Sequence, residues 1–219
     1  MLDMSTTSRT SMDIFREILD GGNPVTLYSA NAKTRIPVGT IHRHFKQLEK
    51  TEKIRIYESV DTGRRKIKYG PTIYGMIHFY RIDKEIAQNI ENYFLLWIDH
   101  KEFQKELAAE GFDITPRNLK RSKGVFKKYM DYFGAVEDQI EKIRTGKDSI
   151  SHDMQVFLGS MLLSSNSKYQ KLWAELYNEL PGMQKSLDEY MKTMIASYKE
   201  FKKSQKRNSN RHLKQKQKQ

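Results

Sequence analysis

The segment between Pro24 and Gly75 constrains the fold most, because the spacing of its apolar residues changes from a helical to a strand-like period. A short helix ends at a basic turn that holds Lys33 and Arg35, and a longer helix starts at Pro37. Proline suits a first helical position, since the N–H there has no partner within the helix. Two alternating segments follow. This order predicts a helix, a tight turn, a second helix and then a two-stranded ribbon.

The longer helix has two different faces. Its apolar residues recur at steps of three and four, which predicts packing on one side only; they are Val38, Ile41, Phe45 and Leu48. The opposite face contains no acidic residue and consists of Gly39, Thr40, Arg43, Lys46, Gln47 and Lys50. Such side chains can reach phosphates or base edges in a major groove, although a basic helix face can also be merely solvated.

The two alternating segments form the predicted ribbon. One runs from Ile54 to Val60 and the other from Lys66 to Tyr69, around a turn at residues 61–65. The tip is basic, and its cations are Arg64, Arg65, Lys66 and Lys68. A basic tip can lie along a DNA backbone or enter a narrow minor groove. An ordinary solvated hairpin is the alternative, but the two preceding helices favour contact with DNA.

Two motifs carry a resemblance to a known family. Gly39-Thr-Ile-His-Arg-His-Phe-Lys-Gln-Leu-Glu49 and Arg64-Arg-Lys-Ile-Lys-Tyr-Gly-Pro-Thr-Ile-Tyr-Gly75, at this spacing, resemble the winged helix-turn-helix transcriptional regulators of bacteria and archaea, loosely of the PadR and MarR kind. The resemblance covers about a third of the chain. The sequence differs from the pattern of these regulators at two places. After the recognition helix, Thr51-Glu-Lys53 stands where they usually have a glycine, and residues 71–75 only approximate their Leu-Thr-x-x-Gly.

We therefore expect a mainly α fold with a small β-hairpin wing, and a sequence-specific regulator that binds double-stranded DNA. The expected base readers are Thr40, Arg43 and Gln47. The expected phosphate contacts from the turn and the recognition helix are Lys33, Arg35, Lys46 and Lys50.

Charge is distributed unevenly along the chain, which has a net charge of +12. Residues 1–82 hold 14 basic and 8 acidic side chains, residues 83–198 hold 16 and 18, and residues 199–219 hold 9 and 1. Basic ends are typical of nucleic-acid binders, while the near-neutral middle indicates another role. We expect a flexible leader (1–11), a DNA-binding domain (12–82), a helical dimerisation or effector domain (83–203) and a disordered basic tail (204–219).

The expected location is the cytoplasm, in association with the nucleoid. There are no cysteines, which excludes disulfides and thiolate zinc sites. The longest apolar run, from Tyr93 to Ile98, is far below the roughly 20 residues that span a bilayer. Residues 1–11 are polar and lack the apolar centre of a signal peptide.

From Asp83 onward the pattern is helical. One helix runs to about Ile98, continues or breaks near residues 99–101 and stops at Gly111. Thr115 is the predicted N-cap of the next helix, and Pro116 is its first residue. Two helices follow at about 149–163 and 167–180, and the last begins at residue 181.

Two apolar seams in this part have the spacing of a coiled coil. They could close an internal bundle or a homodimer, and the candidate dimerisation residues are Phe126, Tyr129, Phe133, Val136, Ile140, Ile143, Leu187, Met191, Met194 and Tyr198. A dimer would match the two half-sites of a regulator's DNA. The same helices could also enclose a small-molecule effector, whose chemistry the sequence does not define.

No arrangement of residues indicates an enzyme. His42 and His44 lie at opposite edges of the apolar stripe, and the sequence has no His-Glu-x-x-His, phosphate loop or Gly-x-Ser-x-Gly. We expect no catalytic residues, metal or cofactor. The alternatives to a sequence-specific regulator are a non-specific architectural DNA- or RNA-binding protein and a winged helix used only for protein interaction.

Overall fold

A computed structural model describes residues 6–62, 64–143, 159–161 and 163–185, with short pieces at 188–189, 191–193, 195–196, 199 and 202. Its helices and strands are α1 (Thr6–Asp20), α2 (Leu27–Thr34), α3 (Val38–Lys50), β1 (Ile54–Thr62), β2 (Arg64–Pro71), α4 (Ile73–Ile82), α5 (Lys84–Trp97), α6 (Lys101–Ala109), α7 (Leu119–Ile143) and α8 (Ser167–Glu179). Residues 181–185 are helical as well. The described chain is thus mainly helical, with a two-stranded antiparallel sheet after three helices, which confirms the predicted fold class at this level.

The first helix overlaps the predicted flexible leader and continues into the predicted DNA-binding domain. α1 begins at Thr6, so residues 6–11 of the predicted leader are helical, and that part of the prediction is wrong. Four apolar residues at helical spacing explain why α1 forms and packs: Ile14, Phe15, Ile18 and Leu19 are completely buried. The chain after this helix crosses to α2 through Gly22, whose φ is +57°.

The strands of the hairpin are longer, and its turn shorter, than predicted. β1 and β2 pair from Ile54 opposite Pro71 to Thr62 opposite Arg64, so Arg64 and Arg65 lie in β2 rather than in the turn. The register shifts between Ile56 and Glu58, as in a β-bulge. The extra residue, Tyr57, donates a hydrogen bond from its hydroxyl to the Pro71 carbonyl at 2.7 Å and lies edge-on to the Trp97 ring. The bulge therefore fastens the hairpin to α5.

A single residue with left-handed backbone closes α3. Glu52 has a φ of +56°, its N–H donates to the Glu49 carbonyl at 2.9 Å, and the Lys53 N–H donates to the Leu48 carbonyl at 2.8 Å. This pair of bonds is a Schellman motif, whose left-handed position usually holds glycine. Glu52 therefore occupies the position at which a helix end of this kind usually carries glycine.

The start of α4 explains the spacing of Thr72 and Gly75. Thr72 caps α4 by accepting a hydrogen bond from the Gly75 N–H at 2.9 Å, and its hydroxyl donates to the Glu52 carbonyl at 2.6 Å. A Cβ atom on Gly75 would lie 2.1 Å from the Lys53 carbonyl oxygen. Only glycine allows α4 to approach the end of α3 this closely.

The described part of the helical region after α4 follows the predicted order with one shifted start, and most of the predicted helix at about 149–163 lies outside the described residues. Asp83 caps α5 by accepting from the Glu85 N–H at 2.9 Å, and of the two possibilities predicted after α5, the chain breaks, at residues 98–100. α7 begins at Leu119 instead of Pro116. The reason is Asp113, whose carboxylate accepts from the Thr115 N–H at 3.1 Å and the Asn118 amide at 2.5 Å, and so holds residues 115–118 in turns.

One apolar cluster joins the two predicted domains. It extends from α1 to α7 and includes Leu176 and Leu180 beyond them. Phe15 of α1 stacks on Phe79 of α4 at 4.3 Å between ring centroids, and the Trp97 indole N–H donates to the Leu19 carbonyl at 3.0 Å. The predicted boundary between residues 82 and 83 therefore passes through a shared core.

The long seam of α7 faces the interior of its own chain. Phe126, Tyr129, Val136 and Ile140 are buried and Phe133 is half-buried. A side chain that is already covered within one chain adds no area to an interface between two, so assigning the four buried residues to dimerisation is wrong. Met191 is exposed (47%), and the side chains of Ile143, Leu187, Met194 and Tyr198 lie outside the described residues.

Replacing Glu52 by glycine is expected to stabilise the protein. A left-handed conformation costs a non-glycine residue roughly 1–2 kcal/mol, partly offset by the greater freedom of glycine in the unfolded chain. Urea unfolding of Glu52→Gly should show a gain of about 1 kcal/mol over Glu52→Ala, which removes the same charge and keeps the strain. Equal stability of the two variants would contradict this explanation.

Two glycines in helices are expected to respond oppositely to the same change. Gly75→Ala should destabilise by more than about 2 kcal/mol, because the new methyl group meets backbone. Gly39→Ala should be neutral or stabilising by up to about 1 kcal/mol, because nothing lies within 4 Å of its added Cβ. Thermal and urea unfolding measure the stability of both variants. A similar loss of stability in the two would contradict the close contact between position 75 and the Lys53 carbonyl.

Candidate nucleic-acid interface

The helices α2 and α3, which form the candidate interface, are joined by three residues. Thr26 and Ser29 form a capping box at the start of α2, with the Ser29 N–H donating to the Thr26 hydroxyl at 3.1 Å. At the other end Arg35 has a φ of +59°, and its N–H donates to the Asn31 carbonyl at 2.9 Å. The chain then enters α3, with Pro37 as its N-cap rather than its first helical residue.

α3 is anchored along one side, as its sequence predicts. Ile41, Phe45 and Leu48 are buried, and Phe45 lies edge-on to Tyr69 of β2 at 5.1 Å. Val38, predicted to belong to this stripe, lies at its end and is 36% exposed. His44 takes a place in the stripe instead, with only 1% of its surface exposed.

His44 connects the anchored side of α3 to α1. Its Nδ1 lies 2.9 Å from the Ser11 hydroxyl. Burial, followed by the positive charge of Arg43, lowers the pKa of the imidazole below its ordinary value. The neutral ring is therefore the form that the fold holds beneath the exposed face.

The opposite face of α3 is open to solvent. Gly39, Arg43, Lys46, Gln47 and Lys50 are exposed, and Thr40 is half-buried. Among the residues that the structure describes, no carboxylate lies within 4.0 Å of the charged groups of Arg43, Lys46 or Lys50. The structure thus places the six predicted residues on one side, with three cations unpaired within the described chain.

Two other predicted cations have acidic partners. Lys33 forms an ion pair with Glu17 of α1, and Lys68 pairs with Glu58 across the hairpin at 2.5 Å. These partners offset part of the charge that each lysine would offer to a phosphate. Arg35 is exposed at the turn, and no ion pair of it is found within the described chain.

The tip of the hairpin is defined by its backbone only. Thr62 pairs with Arg64, Asp61 with Arg65, and Val60 with Lys66. The side chains of residues 59–66 lie outside the described part of the structure, so the prediction for Arg64, Arg65 and Lys66 remains a prediction.

One exposed residue of α2 was not predicted from the sequence. Tyr28, in the first turn of α2, has 74% of its surface exposed, the highest value among the exposed large hydrophobic residues described. Its hydroxyl can donate to a phosphate oxygen.

The described residues show neither a metal centre nor a membrane span. No group of three or more His, Asp or Glu side chains among them could hold a metal ion. None of the described helices has the length and apolarity needed to cross a bilayer.

The chain matches none of the protein-family models, and no curated protein matches it significantly.

Folding stability is expected to fall as the pH drops below about 6.5. The unfolded chain binds a proton at the ordinary histidine pKa of about 6.5, whereas the folded chain keeps His44 neutral to lower pH. Unfolding therefore takes up a proton in that window. His78 acts in the same direction, because burial, followed by the charges of Lys53 and Arg81, lowers its pKa to about 4.

Urea unfolding at pH 7, 6 and 5 tests the contribution of His44. His44→Gln keeps a group that can hydrogen-bond to Ser11 and cannot be protonated in this range, so its stability should decline less steeply with falling pH than that of the wild type. His78→Gln is the matched comparison and should also decline less steeply. An unchanged slope for His44→Gln would show that His44 is not held neutral by the fold.

Proposed function

We propose that this chain is a winged helix-turn-helix regulator that binds double-stranded DNA in a sequence-specific manner. In this proposal α2 and α3 form the helix-turn-helix, α3 is the recognition helix, and the β1–β2 hairpin is the wing. The observation that carries the proposal is the exposed face of α3, which combines unpaired cations with Thr40 and Gln47 on a helix whose other side is anchored in the core.

The types of residue on that face suit two kinds of contact. Arg43 can bond guanine at two positions, Gln47 can do the same with adenine, and Thr40 can bond either base. Lys46, Lys50 and Arg35 suit phosphates, because an ammonium or guanidinium there fixes the position of the protein without reading sequence. Anchoring by Ile41, Phe45 and Leu48 supports base reading, since a recognition helix must present its side chains in a fixed orientation.

The proposed regulator acts as a homodimer. Two-fold symmetry of the protein would match two half-sites about one helical turn of DNA apart. Because the buried seam of α7 is occupied within the chain, the interface requires other residues. Exposed apolar side chains that could supply it are Leu95, Leu96, Met191 and Ile195.

Selection of bound sequences from random duplex DNA, at roughly physiological salt, tests this function. Non-specific phosphate contacts are weakened under those conditions, so enrichment reports base reading. A recovered palindrome would support a dimeric regulator. Bound but unrelated sequences would favour the architectural protein instead, and no bound DNA would favour a protein-interaction module.

Two substitutions on adjacent turns of α3 are expected to separate base reading from phosphate binding. Arg43→Ala should cost about 1–3 kcal/mol on the selected sequence and relax its preference, whereas Lys46→Ala should weaken all sequences alike and reduce the salt slope by about one unit. Titrations of selected and random duplexes at several salt concentrations measure both effects.

Lys105→Ala provides the control for net charge. Lys105 is exposed on α6 and pairs with Glu102 at 2.6 Å, so its loss removes one positive charge away from the proposed interface. Its affinity for both duplexes should stay close to that of the wild type. Equal losses on selected and random DNA for Arg43→Ala would remove the base-reading role of that residue.

A further inference from the structure

A large cavity lies behind the proposed recognition helix. Its volume is about 1270 Å³, above the roughly 300–1,000 Å³ of typical small-molecule sites. Its described lining residues come from the end of α3 and Glu52 after it, the base of the hairpin, the start of α4, the end of α6, the middle of α7, residues 160, 161, 163 and 164, α8, and Met183. Eight separate segments of the described chain thus meet around one space.

Aromatic rings form much of the lining. They are Tyr74, Tyr129, Tyr132, Phe133, Tyr169 and Trp173. Tyr132 lies 5.1 Å from Trp173, and Tyr129 lies 4.4 Å from Phe133, measured between ring centroids. The faces of such rings carry negative charge density, which attracts a cation that lies above them.

Among the described residues that line the cavity, the charged side chains are almost all acidic. Five carboxylates line it, namely Glu49, Glu52, Glu106, Glu110 and Glu137, and Arg55 is the one cation in the described lining. Arg55 forms an ion pair with Glu106, whose side chain is 12% exposed and also accepts from the Ile73 N–H at 2.6 Å. Arg55 therefore neutralises Glu106 and leaves the other four carboxylates of the described lining without it.

Glu110 is the carboxylate best placed beside the rings. It accepts a hydrogen bond at 2.7 Å from the hydroxyl of Tyr129, which burial and the charge of Glu110 keep protonated by raising its pKa. Within the described residues no lysine, arginine or histidine lies within 4.0 Å of the carboxylates of Glu110 or Glu137. Both are half-buried, so water is partly excluded around two carboxylates that have no cationic partner in the described part of the chain.

We propose that this cavity binds an amphipathic organic cation, with an apolar or aromatic body and one amine or quaternary ammonium centre. The body would lie among the rings, and the cationic centre would lie beside Glu110. An anion of the same shape would meet four carboxylates that have no cation within 4.0 Å among the described residues. The proposal does not rest on the proposed DNA binding, and it is tested without DNA.

Tetraphenylphosphonium and tetraphenylborate are suitable probes, because they have nearly the same shape and opposite charge. Trp173 lines the cavity, while the other tryptophan, Trp97, is fully buried elsewhere in the core. Tetraphenylphosphonium should change the tryptophan fluorescence in a saturable way, and Trp173→Phe should abolish that change. Equilibrium dialysis measures binding of both ions without relying on fluorescence.

The carboxylate is tested by Glu110→Gln, which keeps an oxygen that can accept from Tyr129 and removes the charge. Its affinity for tetraphenylphosphonium should fall by roughly tenfold, the effect of one partly desolvated charge. Glu137→Gln is a second lining variant, to be used alone if Glu110→Gln does not fold, and should also weaken binding. Glu91→Gln, which alters a carboxylate that does not line the cavity, should bind like the wild type.

Three results would overturn the proposal. The first is no binding of the phosphonium ion, and the second is equal binding of the two ions, which would show an apolar site without charge selection. The third is wild-type affinity in every folded lining variant. Because none of these measurements involves DNA, their failure leaves the proposed regulatory function to its own test.

Discussion

The packing of α1 is the constraint on which the rest of the structure depends. This helix contributes Ile14, Phe15, Ile18 and Leu19 to the core and contacts α2, α3, β2 and α5. It also carries polar links to the later helices: Arg16 pairs with Asp83, the N-cap of α5, at 2.5 Å. Because the two halves meet on one helix and share one apolar cluster, a change that loosens α1 would disturb the proposed recognition helix and the helices behind it together.

The packing of α3 against the apolar core fixes the orientation of its exposed face. Its buried side is held by Phe45 against β2 and by His44 against Ser11 of α1. Its end is fixed by the left-handed Glu52 and by Thr72, which bonds the Glu52 carbonyl while capping α4. These contacts fix the orientation of α3 and therefore of the basic side chains on its exposed face. The basic side chains themselves make none of these contacts.

The sequence predicted those parts of the fold whose signals are local. α3 and the hairpin follow from apolar spacing and strand alternation, and most of the exposed α3 residues lie where the helical period puts them. α1 was not predicted, although its four apolar residues recur at the helical period. From the sequence alone the seam of α7 could be core or interface, since spacing identifies an apolar face without identifying what it packs against. The cavity has no local signal, because its described lining comes from eight separate segments.

The end of α3 belongs to both proposed sites. Lys46 and Lys50 face solvent, whereas Glu49, on the last turns of the same helix, and Glu52, just after the helix, line the cavity. Cations toward the proposed phosphates are thus separated from carboxylates toward the cavity across the width of one helix. A cation held beside Glu110 would raise the positive potential at the outer face, by an amount that the solvent around Lys46 and Lys50 reduces. Any strengthening of phosphate contacts by this route needs no movement of α3.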